Sequence, residues 1–446
     1  MKFALVNPNW SFDGSIYFGC RDPHLPLEFG YARALLERDG HDVLLVDAQL
    51  YDLPLSEVAA RLESFAPERL VVTTAPSYLF WRCAPPELRV TQELLAACAH
   101  VPGQRVVVGP HASTTPIATI RKLSADVAVL GECEDILPQL AAKPAAWAAL
   151  DSIARRTDDD GVSVQGTSHA SNMAALPALR WTHEDLARHR HHHHRFDAQP
   201  TAPGAEVEVS RGCPYHCTFC AKDEFRDDYR KRPLAVVLEE LDLLRAQNVE
   251  YVYFIDEIFL PNRELLEALV PRRIAFGIQT RIDLWNAANL QLLGRAGCVS
   301  IEAGVESITV EGRNLLDKGT RLTTEQIVER LIEARRHVPF VQANLLESGA
   351  DDPDLVESWR AHLQSHGVWA NKPVPMFPYP GSPGYTRRWG RTDDVAWERA
   401  LDDYLRCFSE FSDIQESRPR PLHELEHEPP PRPIPARAHA RDGDAS

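Results

Sequence analysis

The sequence predicts an α/β protein of two parallel-sheet domains, a doubly wound domain followed by a partial (β/α)6 barrel. Two strand–helix series carry this reading, one over residues 1–145 and one over residues 205–385. An irregular stretch, 146–204, separates them. Regular alternation of strands and helices calls for parallel strands with crossover helices on the sheet faces.

In the first series the strands are the apolar runs at 2–6, 43–46, 69–73, 105–108 and 127–130. Helical patterns occupy 27–38, ending at Gly40, then 56–65 and 87–99. Five such strands imply a Rossmann-like sheet whose ligands sit beyond the strands' carboxyl ends. The segment 146–204 reads as a linker. It holds a hairpin turn, Asp158-Asp159-Asp160-Gly161, and a His-rich run of His189 and His191 to His194. That run reads either as solvated linker or as a metal-binding tract. The second series places strands at 206–210, 251–255, 273–279, 299–303, 340–346 and 372–377, with helices such as 234–247 and 324–337. Six units make an incomplete TIM-type barrel, in which chemistry belongs to the loops after the strands. A helical segment follows (386–415, with its pattern at 393–411), and the Pro-, Arg- and Glu-rich tail 416–446 reads as disordered.

The formal charge of −16 argues against a nucleic-acid partner and for a small molecule or another protein. No apolar run reaches the length of a membrane span. The amino terminus lacks a signal-peptide core and cleavage site, so a cytoplasmic location is expected. Three of the nine cysteines crowd into eight residues and the other six are scattered, which is metal-site usage in a reducing compartment.

Those three form Cys213-Pro-Tyr-His-Cys217-Thr-Phe-Cys220, directly after the first barrel strand and preceded by Ser210-Arg211-Gly212. Thiolates bind soft metals and iron–sulfur clusters. Three thiolates on a cubane leave one iron open, whereas zinc would want a fourth ligand, for which His216 is the local candidate.

CxxxCxxC with an aromatic before the last cysteine, on the first loop of a partial barrel, resembles the radical S-adenosylmethionine superfamily. The resemblance implies that Cys213, Cys217 and Cys220 ligate a 4Fe-4S cluster and that Phe219 packs near the adenine. It places methionine contacts at Asp256 and Glu257, where many relatives instead carry two glycines and a glutamate. Arg281, in Thr280-Arg281-Ile-Asp283, suits the S-adenosylmethionine carboxylate because its planar fork binds both oxygens. Glu306, in Gly304-Val-Glu306-Ser307, stands where ribose contacts are expected. Each of these charged residues also reads as a strand-end ion pair or as part of a solvated loop. The segment Pro378-Tyr-Pro-Gly-Ser-Pro-Gly-Tyr385 reads as a wall of the substrate pocket or as a plain turn.

The upstream domain resembles the cobalamin-binding subfamily at four places: Leu25-Pro-Leu-Glu-Phe-Gly30-Tyr, Val71-Val-Thr73-Thr74, Val106-Val-Val-Gly109-Pro-His111-Ala-Ser113, and Val129-Leu-Gly131-Glu132-Cys-Glu134. Cobalamin contacts are therefore expected at Thr73, Thr74, Gly109, His111, Gly131 and Glu132. Asp22-Pro-His24-Leu-Pro-Leu27 only partly matches the Asp-x-His-x-x-Gly motif of cobalt-ligating histidines. The expectation is a lower cobalt face without histidine, covered by the loop 75–82.

The resemblance implies carbon methylation of a small molecule through a 5′-deoxyadenosyl radical and methylcobalamin, with a flavodoxin- or ferredoxin-type electron donor. Cyclisation or rearrangement with the same cofactors is the second reading, and a non-catalytic cobalamin or iron–sulfur sensor the third. Substrate, oligomeric state and donor have no readable code.

Overall fold

The structure, a computed structural model, describes residues 1–10, 23–77, 84–86, 88–189, 203–222, 225–226 and 228–407. The loop 78–82, residues 191–194 and the tail 416–446 lie outside the described residues.

The predicted two-domain α/β class is borne out. The amino-terminal sheet comprises β1 (Lys2–Asn7), β2 (Asp42–Asp47), β3 (Arg69–Thr73), β4 (Gln104–Val108), β5 (Val127–Val129), β6 (Ile153–Arg156) and β7 (Val162–Gln165). Its order is β2-β1-β3-β4-β5-β6-β7. Strands β1 to β5 are parallel. All five residues of β3 are buried, as a strand covered on both faces requires. Strand order reverses between β1 and β3, so the ligand crevice falls there. Strands β6 and β7 flank the Asp-Asp-Asp-Gly turn and join antiparallel to β5. The sheet thus runs into the stretch that reads as linker. The turn is written locally in the sequence, but the edge it pairs with is not.

The second sheet comprises β8 (Gly204–Val207), β11 (Tyr251–Phe254), β12 (Ala275–Thr280), β13 (Cys298–Glu306), β14 (Phe340–Leu345) and β15 (Trp369–Ala370), all parallel. Two short strands, β9 (Ser210–Arg211) and β10 (Arg230–Lys231), pair antiparallel after β8. The sixth barrel strand is corrected from 372–377 to β15, and 372–377 keeps only a bridge from Val374 to Leu346. Pro373 and Pro375 have no N–H to donate to a ladder.

Helix Thr324–His337 shows how the barrel wall forms. A capping box of Thr323 and Gln326 opens it, and Arg335, Arg336 and His337 meet its negative carbonyl end. Ile327, Leu331 and Ala334 fall on one face and are buried against the sheet. Truncating Leu331 to Ala would cost about 2–5 kcal/mol.

The halves share their cores. Leu27, Tyr31 and Leu35 of helix Leu27–Arg38 pack with Ala205 and Val207 of β8. Near the other end of the chain, Trp397, Leu401 and Tyr404 of helix Ala396–Cys407 pack in one cluster with Phe3, Leu5, Val106 and Val108. The carboxyl-terminal helix therefore clamps the amino-terminal sheet. Among the described residues no helix is long and apolar enough to cross a membrane.

Candidate functional site

Residues 212–229 leave the barrel after β9 and return at β10, carrying all three clustered cysteines. Cys213, Cys217 and Cys220 are half-buried, whereas Cys98, Cys133 and Cys298 are buried. The loop is held from outside itself. Thr218 donates its N–H to Leu316 O at 3.0 Å and accepts one from Gly384 at 2.7 Å. A Cβ on Gly384 would lie 2.8 Å from Thr218 O, so this close approach requires glycine. The Pro-rich segment that reads as wall or turn is thus fastened to the cysteine loop.

The loop after β12 approaches from the side. Arg281 holds Asp283 in a fork, Nη2 to Oδ2 at 2.7 Å and Nε to Oδ1 at 3.1 Å. Burial opposes ionisation of Asp283, yet the Arg281 hydrogen bonds keep its carboxyl below the usual range. The guanidinium lies 3.9 Å from the centroid of the Tyr215 ring. Its Nη1 is buried with no hydrogen-bond partner among the described residues. An unsatisfied buried N–H is costly, so this atom asks for an acceptor.

Glu306 stands at the end of β13 with φ +63° and pairs with Lys318. Burial pushes the Cys217 thiol up, and Lys318 is the first charge that pulls it back. Lys318 was not legible as a site residue. Its signal is the Asp317-Lys318-Gly319 turn, whose outer residues both have positive φ. Phe219 is half-buried in the loop. Among the described residues no three His, Cys, Asp or Glu side chains are gathered tightly enough to hold a single ion.

Asp256 and Glu257, read as methionine contacts, bond to the stem of the cysteine loop. Asp256 accepts from Val209 N–H at 2.8 Å and from the Ser210 hydroxyl. Burial pushes its carboxyl up to about 8, against the pull of these hydrogen bonds. Glu257 accepts from Gly212 N–H at 2.8 Å and pairs with Arg226 at 2.9 Å. Both carboxylates thus hold the stem of the loop that carries Cys213.

In the amino-terminal domain, Gly109 has φ +112°, and a Cβ there would stand 2.9 Å from Thr74 Oγ1. That hydroxyl is buried and has no partner among the described residues. Thr73 Oγ1 donates to Ala75 O at 2.7 Å. Ser113 ties two glycine turns together, donating to Gly109 O at 2.9 Å and accepting from Gly131 N–H at 2.8 Å. Gly131 has φ +81° and admits the backbone of His169. His111 is buried, with Nε2 2.8 Å from Pro85 O and its ring 4.5 Å from that of Trp397. Burial holds its imidazole down at about 3, so it is neutral.

Glu132 is bonded through its carboxylate to Arg211 at 3.1 Å and Arg230 at 2.5 Å. Burial opposes its charge, but Arg211 outweighs that and keeps the carboxyl below its usual range. His24 pairs with Glu206 at 2.8 Å, and His189 reaches the same carboxylate at 3.1 Å. Both rings are buried at the seam between the halves, so His189 is part of a packed junction rather than of a solvated run.

Residues 207–349, which include the three-cysteine loop and most of the barrel, match the family model described as Radical SAM superfamily. Over most of its length the chain shares the fold of TsrM from Kitasatospora setae, a radical S-adenosylmethionine methyltransferase. Its structure with cobalamin and a 4Fe-4S cluster aligns with TM-score 0.67 at 18% identity, over 86% of this chain and 73% of that one. With tryptophan substrate and a S-adenosylmethionine analog the TM-score is 0.69, over 87% and 76%. An uncharacterized methyltransferase of Pyrococcus horikoshii is 24% identical over 357 residues, 75% of this chain and 72% of the relative. The anaerobic magnesium-protoporphyrin IX monomethyl ester cyclase of Cereibacter sphaeroides is 25% identical over 349 residues, 74% of this chain but 55% of its own length.

Proposed function

We propose that this chain is a cobalamin-dependent radical S-adenosylmethionine enzyme that methylates an unactivated carbon of a small molecule. The observation that carries this reading is the juxtaposition of Arg281 with the half-buried cysteine loop, its Nη1 still lacking an acceptor. Cys213, Cys217 and Cys220 would hold the 4Fe-4S cluster, and Thr73, Thr74, Gly109, His111 and Gly131 would cradle cobalamin. The orphaned Thr74 hydroxyl beside Gly109 fits that role. When bound, the cluster and cobalamin supply reductive cleavage of S-adenosylmethionine and a transferable methyl group.

The protein's own residues orient and shield. Arg281, fixed by Asp283 and Tyr215, presents a directed donor to a carboxylate. Lys318 supports Cys217 and neutralises Glu306, leaving that carboxylate as a hydrogen-bond acceptor suited to a ribose. Phe219 offers an apolar face to adenine. Gly384 on Thr218 fastens the Pro-rich segment over the loop and helps exclude water. An electron reaches the site from a flavodoxin- or ferredoxin-type donor.

Similarity to the cyclase favours a second reading, ring closure with the same cofactors and no methyl transfer. Incubating the reduced enzyme with candidate substrates and S-adenosylmethionine deuterated in its methyl group separates the two. Label in the product supports methylation; an unlabelled, oxidised or rearranged product supports cyclisation.

A further inference from the structure

Strands β9 and β10 bracket the cysteine loop, and their register sets Arg211 directly opposite Arg230. Like charges facing each other across an antiparallel pair oppose its closure. Arg211 is fully buried and Arg230 partly so, which removes the water that would screen them. A carboxylate from the other domain resolves the conflict. Glu132 accepts from Arg230 Nη2 at 2.5 Å and Nη1 at 3.0 Å, and from Arg211 Nη1 at 3.1 Å. Ser171 N–H, at 2.8 Å, fixes the same carboxylate. The rest of Arg211 is taken by Glu134 at 2.6 Å and Glu208 at 2.9 Å.

We infer that Glu132 is a positioning residue for the cysteine loop: from the amino-terminal domain, it closes the base of the loop by neutralising Arg211 and Arg230 together. This inference rests on the proposed function only for what the loop carries. Two neighbours support it. Gly212 N–H is bound by Glu257, and Arg226, beyond Cys220, links Glu257 at 2.9 Å to Glu28 of the amino-terminal domain at 3.6 Å. Docking of the two domains and closure of the loop are thereby one event.

The test is hydrogen–deuterium exchange on the metal-free full-length chain, read at amides of residues 210–222, for wild type, Glu132→Gln, Arg230→Gln and the double variant. Glu132→Gln should exchange there about a hundredfold faster. The double variant should return to near the wild-type rate, because removing Arg230 removes the repulsion while Glu134 and Glu208 still hold Arg211. Wild-type exchange in Glu132→Gln, or a double variant no slower than the single, would overturn the inference. Should Glu132→Gln fail to fold, a folded double variant with wild-type exchange supports it, and loss of both overturns it. In iron-reconstituted protein, the change in the reduced-cluster resonance on adding S-adenosylmethionine should be lost in Glu132→Gln and restored in the double. Hydroxocobalamin affinity lowered equally in single and double variants would make Glu132 a cobalamin contact instead. A wild type that binds no cluster would sink the proposed function but leave the exchange result decisive here.

Discussion

Arg281 sits over the ring of Tyr215, its guanidinium carbon 3.9 Å from the ring centroid, so the loop after the third barrel strand rests on the cysteine loop itself. Asp283 fixes the fork from the other side. Nη1 is buried with no hydrogen-bond partner among the described residues, and on the proposed function a carboxylate of S-adenosylmethionine would supply one. Arg281→Ala should lose one charge-assisted contact, about 1.5–3 kcal/mol, and affinity should fall roughly ten- to a hundredfold with the cluster retained. Calorimetric titration under anaerobic conditions measures it. Unchanged affinity would reduce Arg281 to an ion pair.

Asp256 gives a pH dependence. Burial raises its carboxyl in the folded chain to about 8 from an ordinary value of 3.8. The folded state thus holds this proton more tightly than the unfolded one. Its contribution is fully present below about pH 4 and is lost as pH rises through about 8. The slope from this group is about 1.4 kcal/mol per pH unit at most. Asn mimics the protonated acid, accepting from Val209 and donating to the Ser210 hydroxyl. Urea midpoints at pH 6 and pH 8 should therefore fall less in Asp256→Asn than in wild type. Equal falls would show that Asp256 is already ionised at pH 6.

The buried cysteines should be silent. Burial pushes the thiols of Cys98, Cys133 and Cys298 up, away from the thiolate a cluster needs. Single Ala variants at these positions should keep full iron content and lose about 1 kcal/mol or more of stability to the cavity left behind. Iron and sulfide assays on reconstituted, folded protein decide it. Cys20, Cys83 and Cys407, scattered like these in the sequence, are expected to be silent too; Cys20 and Cys83 lie outside the described residues.

His24 pairs through Nδ1 with Glu206 and is buried between the domains, and the prediction is that it does not ligate cobalt. The Co(II) resonance of cobalamin-loaded protein should be the same in wild type and His24→Ala, while stability drops by about 1–3 kcal/mol from the weakened Glu206 contacts. Axial nitrogen splitting that disappears in the variant would make His24 the ligand.

What was legible in the sequence was local. The cysteine spacing, the Gly109 and Gly131 turns, and most strands announce themselves within a few residues. The sixth strand was misplaced because apolar Val374, Met376 and Phe377 outweighed the prolines among them. The directions of buried carboxylates were not legible. Glu132 meets Arg211 and Arg230 from 79 and 98 residues away, and Asp256 reaches back 46 residues to Ser210. A strand-end carboxylate looks the same in sequence whether it faces a ligand or a distant arginine. His189 was hidden in the same way: the run beside it reads as solvated, and its burial is met by partners, Glu206 and Gly204 O among them, that lie outside that run.

The most direct measurement is anaerobic: iron-reconstituted, chemically reduced full-length protein is incubated with S-adenosylmethionine, and 5′-deoxyadenosine is quantified by mass spectrometry. Wild type should form it, and folded Cys217→Ala should not. No 5′-deoxyadenosine from wild type carrying a full cluster, or undiminished formation by the variant, would contradict radical chemistry at Cys213, Cys217 and Cys220.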